Sequence, residues 1–127
     1  MILFEVMKTI LLVEDDPFLI DIYSDKFKNA GFLVETVGDG EATFNKIKEK
    51  KPDLVILDLV LPHIDGWEIL RQIKEDPAIN QIPVIIFSNL GQKSDIEKSQ
   101  AMGATKYLIK SQYTPSEVVE EVKKILK

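Results

Sequence analysis

Short apolar runs that recur along the chain constrain its fold more than any other feature of the sequence. Each run is bounded by turn residues, and the segments between the runs carry apolar residues at helical spacing. Runs this short and this uniformly apolar are typical of strands that are buried on both faces, as in a parallel sheet. We predict five strands, at residues 9–13, 33–37, 54–57, 84–87 and 106–109.

The segments between the strands predict five helices. Asp16 and Pro17 supply the N-cap and first turn of a helix that ends at Ala30, and its apolar residues are expected to form one buried stripe. The stripe comprises Phe18, Leu19, Ile22, Tyr23 and Phe27. The other helices are predicted at residues 41–50, from the loop 62–66 to residue 76, at 94–102, and from the capping box 114–117 onward. In the third helix we expect Trp67, Leu70 and Ile73 to be buried.

This alternation predicts an α/β fold. Right-handed crossovers place helices on both faces of a flavodoxin-like, doubly wound, five-stranded parallel sheet with strand order 2-1-3-4-5 and five helices. At 127 residues the chain has the length of one domain. We expect the domain to cover residues 8–127, and residues 1–7 to be an N-terminal extension that need not be the native start.

Composition excludes several classes of function. There is no cysteine, which excludes disulfide frameworks, thiolate metal sites and thiol nucleophiles. The net charge of −5 disfavours direct binding of nucleic acid. No apolar stretch is long enough to cross a bilayer, and the apolar start is broken by Glu5 and has no preceding basic residue. We therefore expect a cytoplasmic protein without membrane insertion.

Chemically active side chains follow four of the five predicted strands. They are Glu14 and Asp15 after the first, Asp58 after the third, Ser88 after the fourth and Lys110 after the fifth. Because ligands bind at the carboxyl ends of such strands, and strands one and three are neighbours, these groups are expected to form one acidic pocket. Three carboxylates sharing a pocket need a cation, and Mg²⁺ suits a site of carboxylates, water and a phosphate oxygen.

This set of groups supports phosphoryl chemistry. The metal and Lys110 would neutralise an incoming phosphoryl group, and the hydroxyl of Ser88 would donate a hydrogen bond to it. A free oxygen of Asp58 is then placed to attack phosphorus in line and to form an aspartyl phosphate.

The same residues resemble the response-regulator receiver domain of two-component signalling, and the stand-alone, chemotaxis-regulator-like type in particular. The resemblance covers nearly the whole chain from residue 8 and rests on the segments 10–17, 54–62, 65–66, 83–88 and 103–110. It implies that Asp58 is the phosphoacceptor and that Mg²⁺ (or Mn²⁺) is held by Asp58, Asp15, Glu14 and the backbone carbonyl of Val60. It further implies that Ser88 is the switch hydroxyl, Tyr107 the switch aromatic and Lys110 the phosphoryl-binding lysine.

The resemblance also implies partners. A histidine kinase or phosphotransfer protein would supply the phosphoryl group, and a downstream effector protein would respond. The altered surface would comprise helix 4, strand 5 and helix 5, with Ile96, Tyr107 and Val119 as candidates for contact with a partner or with a second copy in a homodimer. The protein would act as a signalling phosphoacceptor rather than an enzyme.

Two departures from the family pattern involve three positions. Ser111 follows Lys110 where the family usually has proline in a cis peptide, which puts the aim of the lysine side chain in question. Val60 and Leu90 stand where side chains tune the lifetime of the phosphoryl group, and neither can orient an attacking water. We therefore expect slow self-dephosphorylation.

Three rival functions are each compatible with part of the sequence. A flavin-binding electron carrier of the same fold is disfavoured because the loop after strand one is acidic where a flavin phosphate would lie. A phosphohydrolase with an aspartate nucleophile generally needs a second aspartate at the position of Val60. A receiver-like module that binds partners without phosphorylation is supported only by Ser111.

Overall fold

The computed structural model describes residues 7–126, so the extension expected at residues 1–7 lies, apart from Met7, outside the described residues. Five parallel strands form one sheet in the order β2-β1-β3-β4-β5, as the sequence predicts. The strands are β1 (Thr9–Val13), β2 (Leu33–Val37), β3 (Leu54–Leu57), β4 (Val84–Ser88) and β5 (Lys106–Ile109). In this order β1 and β3 are neighbours, although β2 lies between them in the sequence.

Five helices connect the strands and cover both faces of the sheet. They are α1 (Pro17–Asn29), α2 (Gly40–Lys50), α3 (Gly66–Glu75), α4 (Lys93–Ala101) and α5 (Pro115–Ile125). Helix and strand boundaries agree with the predicted ones to within one residue where both are defined. A short 3₁₀ helix, Lys110–Gln112, was not predicted, because three residues are too few to give a periodic signal.

Side-chain caps fix the starts of four helices. Asp16, Asp39 and Asp65 accept hydrogen bonds from the first-turn amides of α1, α2 and α3, and Thr114 forms a full capping box with Glu117 at α5. Helix α4 has no side-chain cap hydrogen bond. Because each helix follows a strand, these capped starts lie at the carboxyl edge of the sheet.

The apolar core has two parts, one on each face of the sheet. One cluster packs β1, β3, β4 and β5 against α1 and α5, and the other packs the opposite face against α2 and α3. Strand β3 is buried at every position, which explains its uninterrupted apolar sequence. Among the residues described, no helix is long and apolar enough to span a membrane.

Three burial predictions are wrong in part. In α1, Tyr23 and Phe27 are buried, but Phe18 is 80% and Ile22 49% exposed. At about 100° per residue, Phe18 lies roughly 140° around the helix from Tyr23 and therefore points away from the sheet. Trp67 is only half-buried, because it stands at the first turn of α3, next to α4.

Val119 was predicted to lie on a partner surface, but it is 4% exposed and packs in the core beside Val118 and Val122. The apolar face of α5 is directed at α1 and the sheet, so this side chain is not available for contact with a partner in this structure. Ile96 and Tyr107, the other two candidates, are partly exposed.

Candidate functional site

The loops after β1 and β3 meet because the two strands pair in register. Val13 lies opposite Leu57, so the residues that follow them, Glu14 and Asp58, leave the sheet side by side. The amide of Asp58 donates a hydrogen bond of 3.1 Å to the carbonyl of Val13, which continues the ladder into the loop. The backbone of β1 thereby sets the position of Asp58.

Gly66, the first residue of α3, holds the loop after β3 from the other side. Its amide donates to the carbonyl of Leu59 at 2.9 Å. A Cβ at this position would lie 2.3 Å from the carbonyl oxygen of Asp58, so only glycine permits this approach. The acceptor loop is therefore clamped between β1 and the start of α3.

The carboxylate of Asp58 is 6% exposed and both of its oxygens are oriented. Oδ2 accepts a hydrogen bond of 2.9 Å from Nζ of Lys110, and Oδ1 accepts one of 3.2 Å from the amide of Val60. The side chain of Val60 itself is 60% exposed at the mouth of the site. One face of the carboxylate thus remains directed toward the opening.

Lys110 joins the two buried carboxylates. Its ammonium lies 2.7 Å from Oε1 of Glu14 as well as 2.9 Å from Asp58. Burial opposes the charged form of Lys110, but the hydrogen bonds to Asp58 and Glu14 outweigh it and raise the pKa of the lysine. The lysine is therefore a permanent cation in the pocket, and Ser111 in place of proline leaves it aimed at Asp58.

Glu14 is 2% exposed and is held at both oxygens. While Oε1 contacts Lys110, Oε2 accepts hydrogen bonds from the amides of Asp15 and Asp16. Burial raises the pKa of Glu14, although its contact with Lys110 acts in the opposite direction. The contacts of Glu14 therefore fix the position of its side chain, whereas burial makes its ionised form less favourable.

Oxygens of Glu14, Asp15 and Asp58 lie within 4.8 Å of one another, which is the spacing of a metal-binding cluster. Lys110 offsets only one of the three carboxylates, so the group can take up further positive charge. The donors are all oxygens, which suits Mg²⁺ or Mn²⁺. A cleft of about 370 Å³ opens here, lined by Glu14, Asp15, Asp16, Asp58, Val60, Asn89 and Lys110. The residues present therefore fit a divalent cation.

Ser88 and Tyr107 meet at the backbone of Leu90. The fully buried Ser88 accepts a hydrogen bond of 3.3 Å at Oγ from the amide of Leu90. The hydroxyl of Tyr107 donates to the carbonyl of the same residue, and burial raises the pKa of Tyr107 to about 12. Within the part of the chain that the structure describes, no hydrogen bond joins Ser88 to Asp58.

Sequence reasoning missed Asn89, whose side chain lines the cleft. Its position directly after Ser88, at the end of β4, is the signal that could have indicated it. His63 is an exposed residue in the loop before α3. Its φ of 71° lies in the left-handed region, within a tight turn closed by the hydrogen bond from the amide of Ile64 to the carbonyl of Pro62.

Comparison with known proteins agrees with this geometry. The pattern of the response regulator receiver domain matches residues 10–123, which is most of the chain. The chain belongs to the response regulator receiver domain family. Members of this family are signalling proteins of two-component systems, and the acidic cluster of this receiver domain lies where its fold brings β1 and β3 together.

Individual relatives share the fold at moderate sequence identity. A response regulator of Chloroflexus aurantiacus is 30% identical to this receiver domain, with a TM-score of 0.88 over 95% of this chain and 98% of that one. The Mn²⁺-bound form of the response regulator Rcp1 is 28% identical, with a TM-score of 0.79 over 93% of this chain and 91% of that one.

One curated relative is a longer protein. The alkaline phosphatase synthesis transcriptional regulatory protein PhoP of Bacillus subtilis is 31% identical over 94% of this chain and 49% of its own length. The receiver domain therefore spans about half the length of that relative.

Proposed function

We propose that this receiver domain accepts a phosphoryl group on Asp58 and converts it into a change at its surface. The observation that carries the proposal is the position of Lys110, whose ammonium bridges Asp58 and Glu14 at 2.9 and 2.7 Å. A nearly buried carboxylate with a fixed cation on one oxygen is suited to receive an anionic group. The open cleft beside it has room for such a group.

In the proposed reaction an oxygen of Asp58 attacks phosphorus in line. The new bond joins this oxygen to phosphorus, and the bond between phosphorus and the donor nitrogen breaks, with its electron pair going to nitrogen. Because the second ring nitrogen of the donor phosphohistidine carries a proton, a neutral imidazole leaves. Lys110 stabilises charge on the phosphoryl oxygens, and Ser88 donates a hydrogen bond to one of them after release from Leu90. Asp58 thus carries the reaction while its neighbours neutralise charge.

A divalent cation belongs to this proposal. Asp15, Asp58, Glu14 and the backbone carbonyl of Val60 would hold Mg²⁺ or Mn²⁺, and the ion would supply neutralisation of phosphoryl charge. Asp15 is the exposed member of the cluster, so it is the carboxylate most open to direct coordination. The Mn²⁺-bound form of Rcp1, a relative of this fold, supports the assignment.

A histidine kinase or phosphotransfer protein is the proposed donor. Several large apolar side chains are exposed around the acidic cleft, where a donor protein must approach Asp58. Val60 lines the cleft, Leu90 directly follows the lining residue Asn89, and Phe18 lies two residues after the lining residue Asp16. Phe18 is joined to the cleft by its amide, which donates to the cleft residue Asp16 at 3.0 Å. Exposed apolar groups at the rim of a reactive site favour a protein donor over a small molecule alone.

The output surface is proposed to comprise α4, β5 and α5, reached through Ser88, Leu90 and Tyr107. Ile96 and Tyr107 remain candidates for contact with an effector or with a second copy in a homodimer, whereas Val119 is excluded by its burial. The phosphohydrolase alternative lacks support, because apolar Val60 occupies the position where an acid and base would be needed.

The proposal is tested by incubating the protein with phosphoramidate and Mg²⁺, followed by intact-mass measurement. We expect one phosphoryl adduct, which is absent in Asp58→Asn and strongly reduced in chelator. Asp25→Asn, which changes an exposed aspartate on α1, serves as the matched control and should behave as wild type. An adduct that persists in Asp58→Asn, or forms equally well in chelator, would overturn the proposal.

A further inference from the structure

Helix α4 is attached to the domain differently from the other four helices. Helices α1, α2, α3 and α5 each place apolar side chains in one of the two core clusters. None of the nine residues of α4, Lys93–Ala101, belongs to either cluster. Its one buried side chain, Ser99, donates its hydroxyl to the carbonyl of Ile96 within the same helix, at 2.8 Å. The nine helical residues therefore lack the usual apolar anchor, and only the C-cap residue Met102 packs against the second cluster.

Lysine side chains take the place of that anchor. Nζ of Lys98, on α4, lies 4.3 Å from the centre of the Trp67 ring at the first turn of α3. Just after α4, the aliphatic part of the Lys74 side chain, on α3, packs against Gly103. A Cβ added to Gly103 would lie 3.2 Å from Cγ of Lys74. The ammonium of Lys74 is fixed by the carbonyls of Asn80 and Ile82. Of these two contacts, only the one at Lys98 involves a side chain of α4.

The backbone next to Trp67 is held close to the acceptor. The preceding residue, Gly66, is the residue that packs against the carbonyl of Asp58 and donates to Leu59. The contact with Lys98 thus joins a helix without a core anchor to the same rigid loop that carries Asp58. A contact between a cation and an aromatic ring at an exposed site stabilises by an amount equivalent to about a two- to fivefold change in an equilibrium.

We propose that Lys98 and Trp67 form a latch that holds α4 against α3 while Asp58 is unmodified, and that phosphorylation of Asp58 is coupled to its release. The coupling rests on the proposed function, because it needs Asp58 to accept a phosphoryl group. The latch acts in parallel with the contacts of Ser88 and Tyr107 at Leu90, which lies in the loop before α4. Removing the latch therefore shifts the domain toward the arrangement that phosphorylation favours.

The first measurement is hydrogen exchange of the α4 amides in unmodified protein. We expect exchange about two- to fivefold faster in Lys98→Met than in wild type, because the helix opens more often. Lys93→Met is the matched control, since Lys93 is on the same helix with its side chain 90% exposed and does not touch Trp67. Equal exchange in the two variants would overturn the latch.

The second measurement is the rate of adduct formation with phosphoramidate and Mg²⁺. We expect Lys98→Met to react about two- to fivefold faster than wild type and Lys93→Met to react at the wild-type rate. In a Trp67→Leu background, Lys98→Met should add nothing further to either measurement, because the pair acts as a unit. If Lys98→Met had an undiminished effect in that background, the effect would arise from the loss of a positive charge on α4 and not from the contact with Trp67. That result would overturn the latch.

The two proposals fail in different ways. If wild-type protein takes no adduct, the proposed function fails, and hydrogen exchange still decides whether Lys98 holds α4 through Trp67. If wild-type protein takes the adduct but Lys98→Met and Lys93→Met react equally fast, the coupling of the latch is refuted while the proposed function stands.

Discussion

Replacing Lys110 with methionine tests the charge balance of the site directly. In the described part of the chain, its ammonium is the one cation in contact with Asp58 and Glu14, at 2.9 and 2.7 Å. The lysine side chain is 11% exposed, so water replaces this contact only partly. Methionine keeps the length of the side chain and removes its charge, which leaves two buried carboxylates facing each other.

The magnitude follows from the geometry. Removing one partner of a buried ion pair costs about 3–5 kcal/mol, and we expect the lower end, about 3 kcal/mol, because the cleft opens to solvent. For a domain of this size, such a loss lowers the melting temperature by roughly 10 °C. Lys48→Met, at an exposed position of α2, should change the free energy of unfolding by less than about 0.5 kcal/mol.

The loss should depend on pH in a defined direction. Burial raises the pKa of Glu14, so its ionised form costs stability above that pKa, and the cost is relieved as pH falls through it. Lys110 lowers this pKa in wild type, and the variant loses that effect. The difference between variant and wild type should therefore be largest at neutral pH and shrink as the solution is acidified toward the pKa of Glu14.

The assay is urea unfolding, followed by circular dichroism at neutral and mildly acidic pH without metal. A variant whose free energy of unfolding lies within about 1 kcal/mol of wild type at pH 7 would refute the reasoning. A deficit that grows on acidification would refute it as well. Asp58→Asn added to Lys110→Met should recover part of the lost stability, because it removes one of the two unpaired charges.

Three further predictions follow from the same site. Mg²⁺ should raise the melting temperature because it binds only the folded state. At ten times its Kd it should add about 1.4 kcal/mol to the free energy of unfolding, and Asp15→Asn should abolish the rise in a thermal melt. The phosphoryl group on Asp58 should be long-lived, because Val60 and Leu90 cannot orient water, and a half-life of seconds in a phosphate-release assay would contradict this. Phe18→Ser should slow transfer from a cognate donor protein but leave the reaction with phosphoramidate unchanged, since Phe18 is 80% exposed at the rim; equal slowing of both would place Phe18 in the site itself.

The sheet and the acidic cluster were predictable because both follow from strand order. Once β1 and β3 are recognised as neighbouring parallel strands, Glu14 and Asp58 must leave the sheet at the same edge. The contacts of Lys110 follow less directly, because a lysine side chain has many rotamers and the sequence does not indicate which carboxylate it meets. Here it meets both.

The errors concern apolar residues on helices. Phe18 and Ile22 belong to a broad apolar stripe on α1, and apolar spacing does not show which side of that stripe meets the sheet. Val119 was assigned to a partner surface by the family resemblance, which does not show how α5 packs in this chain. The direction of each helix face is set by tertiary packing, through residues such as Tyr23 and Val122. The weak attachment of α4 was missed for a related reason, since a helix that lacks an apolar face gives no signal for what holds it.

The position of α4 explains how a small change at Ser88 acquires a larger effect in the proposed cycle. The amide of Leu90 donates to Ser88, and its carbonyl accepts from Tyr107, so one residue carries both contacts. If Ser88 turns to the phosphoryl group, Leu90 loses one of them, and α4 begins three residues later at Lys93. A helix with side chains buried in the core would keep its position, because moving it would cost several kilocalories per mole of packing energy. Helix α4 has no residue in either core cluster, so the loss of one or two hydrogen bonds, about 1 kcal/mol each, is comparable with what holds it in place.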